Sequence, residues 1–241
     1  MVASATPHTK GSWVDLDASV SRDICGFFLI TTAAIGANAT DTSMLMDIGV
    51  GGTGNAVDQI KVNNLPVGGW TTSSRTFLPL HVRAGERIAG RIQAAVASDV
   101  FDPQLLLCFA DRMPGWGGYA EADTYTANTA TSGPTTGDLA DNAWDEAVAS
   151  TTNPLRALTF HACMVPGDIT LTADAITVDI GVGAAGSEQL LGTFKIATGT
   201  SETVAETMGP PFMEVEIPAG SRLALRKNDI VDLSGLIIGW R

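Results

Sequence analysis

The feature of this sequence that most restricts its fold is an internal duplication. Residues 47–55 read DIGVGGTGN and residues 179–187 read DIGVGAAGS, so the same five letters and the same three glycine positions occur 132 residues apart. The similarity extends to the flanks, because 43–60 aligns with 175–192 at that offset. A motif that returns together with its flanks indicates a repeated structural unit.

Other landmarks occur in the same order in both halves. They are Trp13 and Trp144, the stretches 77–91 and 212–226, and the closing apolar runs 102–110 and 232–240. We therefore predict two tandem copies of one module, running from 8 to 112 and from 139 to 241. The stretch 113–138 is rich in Gly, Thr, Ala and acidic residues and shows no clear period, which predicts a linker or a surface excursion.

Short apolar or alternating runs, separated by turn residues, recur within each copy. Examples are MLMDIGV at 44–50, FLPLHV at 77–82 and FMEVEI at 212–217. No stretch of about 12 or more residues has a helical period. The pattern predicts an all-β fold of two tandem β-sandwiches, jelly-roll-like, with about seven strands in each.

The glycine spacing G-x-G-x-x-G is also that of a dinucleotide-binding turn, which requires a helix that opens on the third glycine. The glycines concerned are Gly49, Gly51 and Gly54 in the first copy and Gly181, Gly183 and Gly186 in the second. In both copies β-favouring residues and then turn residues follow, so no nucleotide or other cofactor is predicted. We expect turns between neighbouring strands. Asp47 and Asp179 are predicted to cap these turns by accepting backbone N–H bonds.

The remaining reactive residues form no recognisable catalytic or metal-binding pattern. The histidines, His8, His81 and His161, have no partner at metal-ligand spacing, and no G-x-S-x-G sequence occurs. Three cysteines without C-x-x-C spacing predict buried free thiols. We predict no catalytic residue, no metal ligand and no enzymatic activity.

The net charge of −12 is distributed unevenly along the chain. Up to residue 120 there are 8 Lys and Arg against 10 Asp and Glu, and from 121 onward there are 6 against 16. An acidic chain repels nucleic acids and anionic membranes, so neither is a predicted partner. No apolar run approaches the roughly 20 residues of a membrane span, and the N-terminal residues lack the apolar segment of a signal peptide.

The stretches AGERIAGR and AGSRLALR repeat two arginines on one face of a strand, Arg87 with Arg91 and Arg222 with Arg226. Two interpretations stay open. The arginines pair with acids on neighbouring strands, such as Asp47 and its counterpart, or they form a face that docks an acidic partner subunit. The candidate partner-contact residues are Trp70, Arg83, Arg87, Arg91, Trp116 and Tyr119.

A Trp-led strand followed by DIGVGAAGSEQ and then IPAGSRLALR resembles a module of virion proteins from tailed bacteriophages and gene-transfer agents. Those proteins include capsid decoration, head-spike and tail-fibre-like proteins. The resemblance covers both halves and is closer in the second. It implies a β-sandwich module, oligomeric assembly, and either capsid attachment or binding of a host glycan. It carries over no functional residue.

From these features we predict a non-enzymatic virion structural protein, assembled in the host cytoplasm, that forms a homo-oligomer and attaches to other virion proteins. A capsid decoration or head-spike subunit is the favoured role. The alternative is a tail or head adhesin that binds host-surface glycan, with Trp70, Trp116 and Tyr119 as aromatic platforms. Neither interpretation includes nucleic acid or membrane insertion.

Overall fold

The computed structural model describes most of the chain, in nine stretches and a few short pieces. The described residues are 1–31, 44–52, 59–67, 74–94, 97–98, 100–112, 118–119, 121–126, 142–164, 175–197, 206–208, 213–228 and 233–241. They form sixteen β-strands and one 3₁₀ turn, Ala110–Arg112, and they include no α-helix. The prediction of an all-β fold is therefore confirmed. Within the described residues no helix is long and apolar enough to cross a membrane.

The chain divides into two compact units, Met1–Asp123 and Thr124–Arg241. The division falls inside the stretch 113–138 that separates the two copies in the sequence. The first unit begins ahead of residue 8, because the N-terminal residues are bonded into it. Val2 forms an antiparallel bridge with Val100, and the Phe101 amide donates to the carbonyl of Met1 at 2.9 Å.

The described residues of the first unit form seven strands in two antiparallel sheets. They are β1 (Val14–Asp17), β2 (Ile24–Thr31), β3 (Met44–Gly51), β4 (Gln59–Val67), β5 (Ser74–Leu78), β6 (Arg87–Ala94) and β7 (Pro103–Phe109). One sheet has the order β1-β6-β3-β4 and the other β5-β2-β7. Along the chain only β3 and β4 are consecutive neighbours in one sheet, and every other connection crosses to the other sheet, as in a β-sandwich.

The second unit has a five-stranded and a four-stranded sheet. Its strands are β8 (Ala122–Thr126), which spans the division, β9 (Asp145–Val148), β10 (Leu155–Met164), β11 (Ala175–Val182), β12 (Gln189–Ala197), β13 (Glu206–Met208), β14 (Met213–Ile217), β15 (Leu223–Lys227) and β16 (Leu233–Trp240). The sheet orders are β13-β12-β11-β15-β9 and β14-β10-β16-β8. β8 lies within the stretch interpreted as a linker, where its short polar sequence ADTYT gives little strand signal.

Both sheets of the first unit recur in the second. With β9, β10, β11, β12, β14, β15 and β16 matched in turn to β1 through β7, the orders β1-β6-β3-β4 and β5-β2-β7 become β9-β15-β11-β12 and β14-β10-β16. β8 adds an eighth strand beside β16, which completes the strand order of a jelly roll. That the two units are copies of one module stays a prediction.

The core of the second unit lies between its two sheets. Leu158, Phe160 and Ile237 from one sheet pack in a single cluster with residues such as Val178 and Leu225 from the other. Because successive side chains of a strand point to opposite faces, alternate residues such as Leu158 and Phe160 of β10 enter this cluster together. Burial of such apolar side chains is the main favourable term in folding a sandwich of this kind.

Candidate functional site

A buried carboxylate lies at the centre of the first unit's larger sheet. Asp47 on β3 is opposite Arg91 on β6 in the strand register, and its side chain is fully buried. Its Oδ2 accepts from Arg91 Nε at 2.8 Å, and its Oδ1 accepts from Lys10 Nζ at 2.7 Å and from the Asn64 amide at 3.0 Å. The Arg91 guanidinium lies 4.6 Å from the ring centroid of Trp13. We call Lys10, Trp13, Asp47, Asn64 and Arg91 the Asp47 cluster.

Two cations share this one carboxylate. Burial lowers the pKa of Lys10, and the nearby charge of Arg91 lowers it further, while Asp47 acts in the opposite direction. The ammonium also donates to the carbonyl of Leu45 at 3.1 Å. A buried ammonium needs such partners, because removing a charge from water without compensation is costly. Asp47 is therefore the group that compensates for the partial burial of the Lys10 ammonium.

The second unit contains the same stack of tryptophan, arginine and aspartate. Asp179 on β11 is opposite Arg226 on β15, as Asp47 is opposite its arginine. Its Oδ2 accepts from Arg226 Nε at 2.9 Å and Nη2 at 2.8 Å, and its Oδ1 accepts from the Thr193 hydroxyl at 2.6 Å. Arg226 lies 4.5 Å from the ring centroid of Trp144. This Asp179 cluster is more exposed than the Asp47 cluster.

The other repeated arginines also face acids of their own unit. Arg87 is only 2% exposed and forms an ion pair with Asp15 of β1. Arg222 donates to Glu146 at 2.9 Å and to Glu188 at 2.7 Å. Of the two interpretations drawn from the sequence, the geometry therefore shows pairing with acids on neighbouring strands. A fully covered Arg87 offers no surface to a partner.

The glycine stretch of the second unit forms the turn between β11 and β12. Gly183 and Gly186 have φ values of 123° and 79°, which side chains disfavour. Arg222 holds the turn, since its Nη1 donates to the Gly183 carbonyl at 3.3 Å as well as to Glu188. Burial alone would raise the pKa of Glu188, but hydrogen bonds from backbone amides and Arg222 outweigh it and lower that pKa.

The described contacts of the two aspartates run to neighbouring strands, and most of the first copy's glycine turn lies outside the described residues. Asp179 bonds to Arg226 and Thr193 on adjacent strands. Asp47 does accept one backbone N–H, but that amide belongs to Asn64 on β4 and not to the glycine turn. Gly49 and Gly51 lie at the end of β3, and Gly54 lies outside the described residues.

Gly181 has a separate role, which is to make room for Trp144. A Cβ at this position would lie 2.7 Å from the Cη2 atom of the indole. The residue after Gly186 leads into β12, not into a helix, so the turn lacks the helix N-terminus that a dinucleotide site uses. The first glycine of the motif is thus explained by a packed tryptophan.

Replacing Gly181 by alanine should lower the free energy of unfolding by about 1–3 kcal/mol, because the added methyl group overpacks Trp144. The measurement is urea unfolding, with tryptophan fluorescence reporting the displaced indole. In a Trp144→Ala background the same change should cost much less, since the obstacle is gone. An equal cost in both backgrounds would show that Trp144 is not the reason for the glycine.

A polar cleft of about 410 Å³ opens in the first unit. Its lining combines cationic, acidic and amide side chains with the end of β3; the residues are Val50, Gly51, Gly52, Gln59, Lys61, His81, Arg83, Glu86 and Glu121. Lys61 donates to Gln59 at 2.6 Å, and the Glu86 carboxylate accepts from the backbone amide of Arg83 at 2.8 Å. Such a lining can hydrogen-bond a small polyhydroxylated ligand.

Of the predicted contact residues, the structure brings one to this cleft. Arg83 is exposed and lines it, whereas Arg87 and Arg91 are paired within the sheet. Tyr119 is half-buried and its backbone bonds to Pro79 and His81, outside the set that lines the cleft. Trp70 and Trp116 lie outside the described residues.

Sequence reasoning missed Lys10 in the Asp47 cluster, and it also missed Lys61 and Glu86 in the cleft. These residues come together only through long-range pairing. Lys10 is 37 positions from Asp47, and no spacing rule connects them. For Glu86 a weak signal exists, because Ala84-Gly85 is a typical turn and the carboxylate reaches back across it.

His161 lies in the second unit in a buried hydrogen-bonded chain. Trp240 Nε1 donates to the Thr159 hydroxyl oxygen at 3.0 Å, and that hydroxyl is 3.2 Å from His161 Nε2. The hydroxyl can donate its own hydrogen to Nε2 only if that nitrogen carries no proton. Burial lowers the pKa of His161 to about 4, so the imidazole is neutral at pH 7.

Comparison with known proteins gives no indication of the function of this chain. No protein-family model matches this sequence, and a comparison with curated proteins gives no match. In the described part of the chain no group of three or more His, Cys, Asp and Glu side chains is placed to hold a metal ion.

Proposed function

We propose that this chain is a non-enzymatic structural protein of a phage-like particle, built from two copies of a jelly-roll module, and that it attaches to the capsid. The observation that carries the proposal is the doubled strand order with the same Trp–Arg–Asp stack at the same register in both units. The repeated arginines pair with acids of their own unit. Jelly rolls are common in viral capsid proteins, and the sequence resemblance points the same way.

The first unit is the better candidate for the attached side. The sequence up to residue 120 has a net charge of −2, and the remainder has −10. A nearly neutral surface approaches another protein with little long-range repulsion, whereas the acidic remainder favours solvent. Arg83 is the exposed cation among the proposed contact residues, so it replaces Arg87 and Arg91 as the residue to test.

The test uses purified chain and particles that were assembled without it. Wild-type protein should bind such particles saturably and sediment with them. Arg83→Glu should weaken this binding by about tenfold or more, because a rim charge is reversed at the contact. Arg156→Glu is the matched control, since Arg156 is also exposed but lies on β10 of the second unit. Absence of saturable binding by the wild-type chain would contradict the proposed function.

The polar cleft favours a second candidate function, the binding of a host-surface glycan. Sugar hydroxyls need donors and acceptors in a concave site, and Gln59, Lys61 and Glu86 supply both. Binding of host polysaccharide, lost on Lys61→Ala substitution, by protein that ignores the particles would support the adhesin and displace the capsid proposal.

A further inference from the structure

The strand β7 (Pro103–Phe109) has a strand neighbour on one side only among the described residues of the first unit. β7 is the outer strand of the order β5-β2-β7, and among the described residues no strand pairs with its other side. Its sequence, PQLLLCF, contains no charge. Leu106 is 56% exposed, and Leu105 and Leu107 are only half-buried. Natural edge strands usually carry lysine, proline or a bulge that blocks pairing, and after Pro103 this strand has no lysine or proline.

The second unit shows what fills the same position. β16 corresponds to β7 in the sheet order, and β8 pairs along its outer side. There Ile237, Ile238 and Trp240 are fully buried. The aligned closing runs match Leu107 with Ile237, and Leu107 stays half-buried. In the first unit the N-terminal residues bond to the chain ahead of β7, at Ala94, Ser98, Val100 and Phe101, and none of their described bonds reaches β7 itself. By analogy with β8 beside β16, the group that fits the outer side of β7 is therefore one more β-strand.

We propose that the open side of β7 pairs with β7 of a second copy of this chain, antiparallel about a two-fold axis. The two three-stranded sheets then form one continuous sheet of order β5-β2-β7-β7-β2-β5. The added strand supplies backbone partners to the open edge and covers the leucines.

The sequence of β7 suits pairing with itself. A register centred on Leu106 places Leu105 opposite Leu107 and sets apolar side chains in contact across the two-fold axis. In that register Asp102 falls opposite Ala110, so no acid lies directly opposite another. The sequence up to residue 120 has a net charge of only −2, and two first units therefore meet with little repulsion. These features favour a second copy over an acidic or basic partner.

Sedimentation equilibrium of the isolated full chain tests the pairing. The wild-type protein should have twice the mass of one chain, and Leu106→Lys should weaken its self-association by about tenfold or more, since lysine on an edge strand opposes pairing. Leu190→Lys is a closely matched control, because Leu190 on β12 of the second unit is also 56% exposed. Neither side chain is buried within its own chain, so both variants should keep the wild-type circular dichroism spectrum. Leu106→Lys should lower the unfolding midpoint only by the stability that association contributes.

A second variant tests the register. Leu106→Cys should form a disulfide-linked dimer on mild oxidation, because residues directly opposite on antiparallel strands lie within disulfide reach, whereas Leu190→Cys should not. A monomeric wild-type chain, or a Leu106→Lys variant that associates as the wild type does, would overturn the inference. This inference rests on the proposed function, because it identifies the contact through which the proposed oligomer forms. The self-association experiment uses no particles, so the inference can fail while the particle-binding proposal stands, and the reverse also holds.

Discussion

Replacing Asp47 by alanine should lower the free energy of unfolding of the first unit by about 3–5 kcal/mol, the largest effect of any single change considered. The substitution leaves the ammonium of Lys10, whose side chain is only 16% exposed, without its carboxylate, and removing one partner of a buried ion pair has a cost of about this size. Arg91 contributes less to the penalty, because it remains stacked on Trp13 and is partly exposed. Urea unfolding combined with hydrogen exchange of the β3 amides measures the effect in this unit.

Asp179→Ala is the matched control for that experiment, since the two aspartates occupy the same register position. Its cost should be nearer about 1 kcal/mol, because the pair with Arg226 is accessible to water and involves one cation. In the first unit, adding Lys10→Met to Asp47→Ala should restore part of the lost stability. Equal costs for the two aspartate variants would contradict the assigned role of burial.

Acidification between about pH 6.5 and pH 4 should destabilise the second unit by about 3 kcal/mol through His161 alone. The folded pKa of about 4 lies below the ordinary value of 6.5, so the unfolded chain binds the proton first as the pH falls. The contribution is fully present above about pH 6.5, is lost progressively on the way down, and levels off below about pH 4. Urea unfolding at a series of pH values measures it.

His161→Gln should remove this pH dependence while keeping a side chain that can bond to Thr159. His81→Gln is the control, because His81 lies in the cleft of the first unit. The window also separates His161 from Glu188, whose pKa is lowered from 4.5, so its contribution is lost only at more acidic pH. A His161→Gln variant with the wild-type slope between pH 6.5 and 4.5 would show that another group is responsible.

Local sequence patterns were sufficient to predict most of the β-strands. The runs at 44–50 and 175–182 alternate or are apolar and end at glycines, and both are strands. The pairing of Arg91 with Asp47 was one of two options, because alternation fixes which face a side chain occupies but not what lies opposite it. Which residue lies opposite Asp47 depends on the register between β3 and β6, and that register is seen only in the folded sheet.

Features that depend on tertiary contacts were not predictable in this way. β8 is a polar pentapeptide, and its place beside β16 compensates for its weak local preference. The sequences of β16 and β7 do not indicate that β16 has that neighbour while β7 has no second neighbour among the described strands. The cleft likewise collects residues from β3, β4 and the turn before β6.

The proposal that this chain is part of a phage-like particle is tested most directly by imaging. Electron cryomicroscopy of particles assembled with and without the chain should give a difference map with density for both units on the outer surface, at positions repeated by the particle symmetry. Identical maps, with the chain recovered only in the unassembled fraction, would contradict the account.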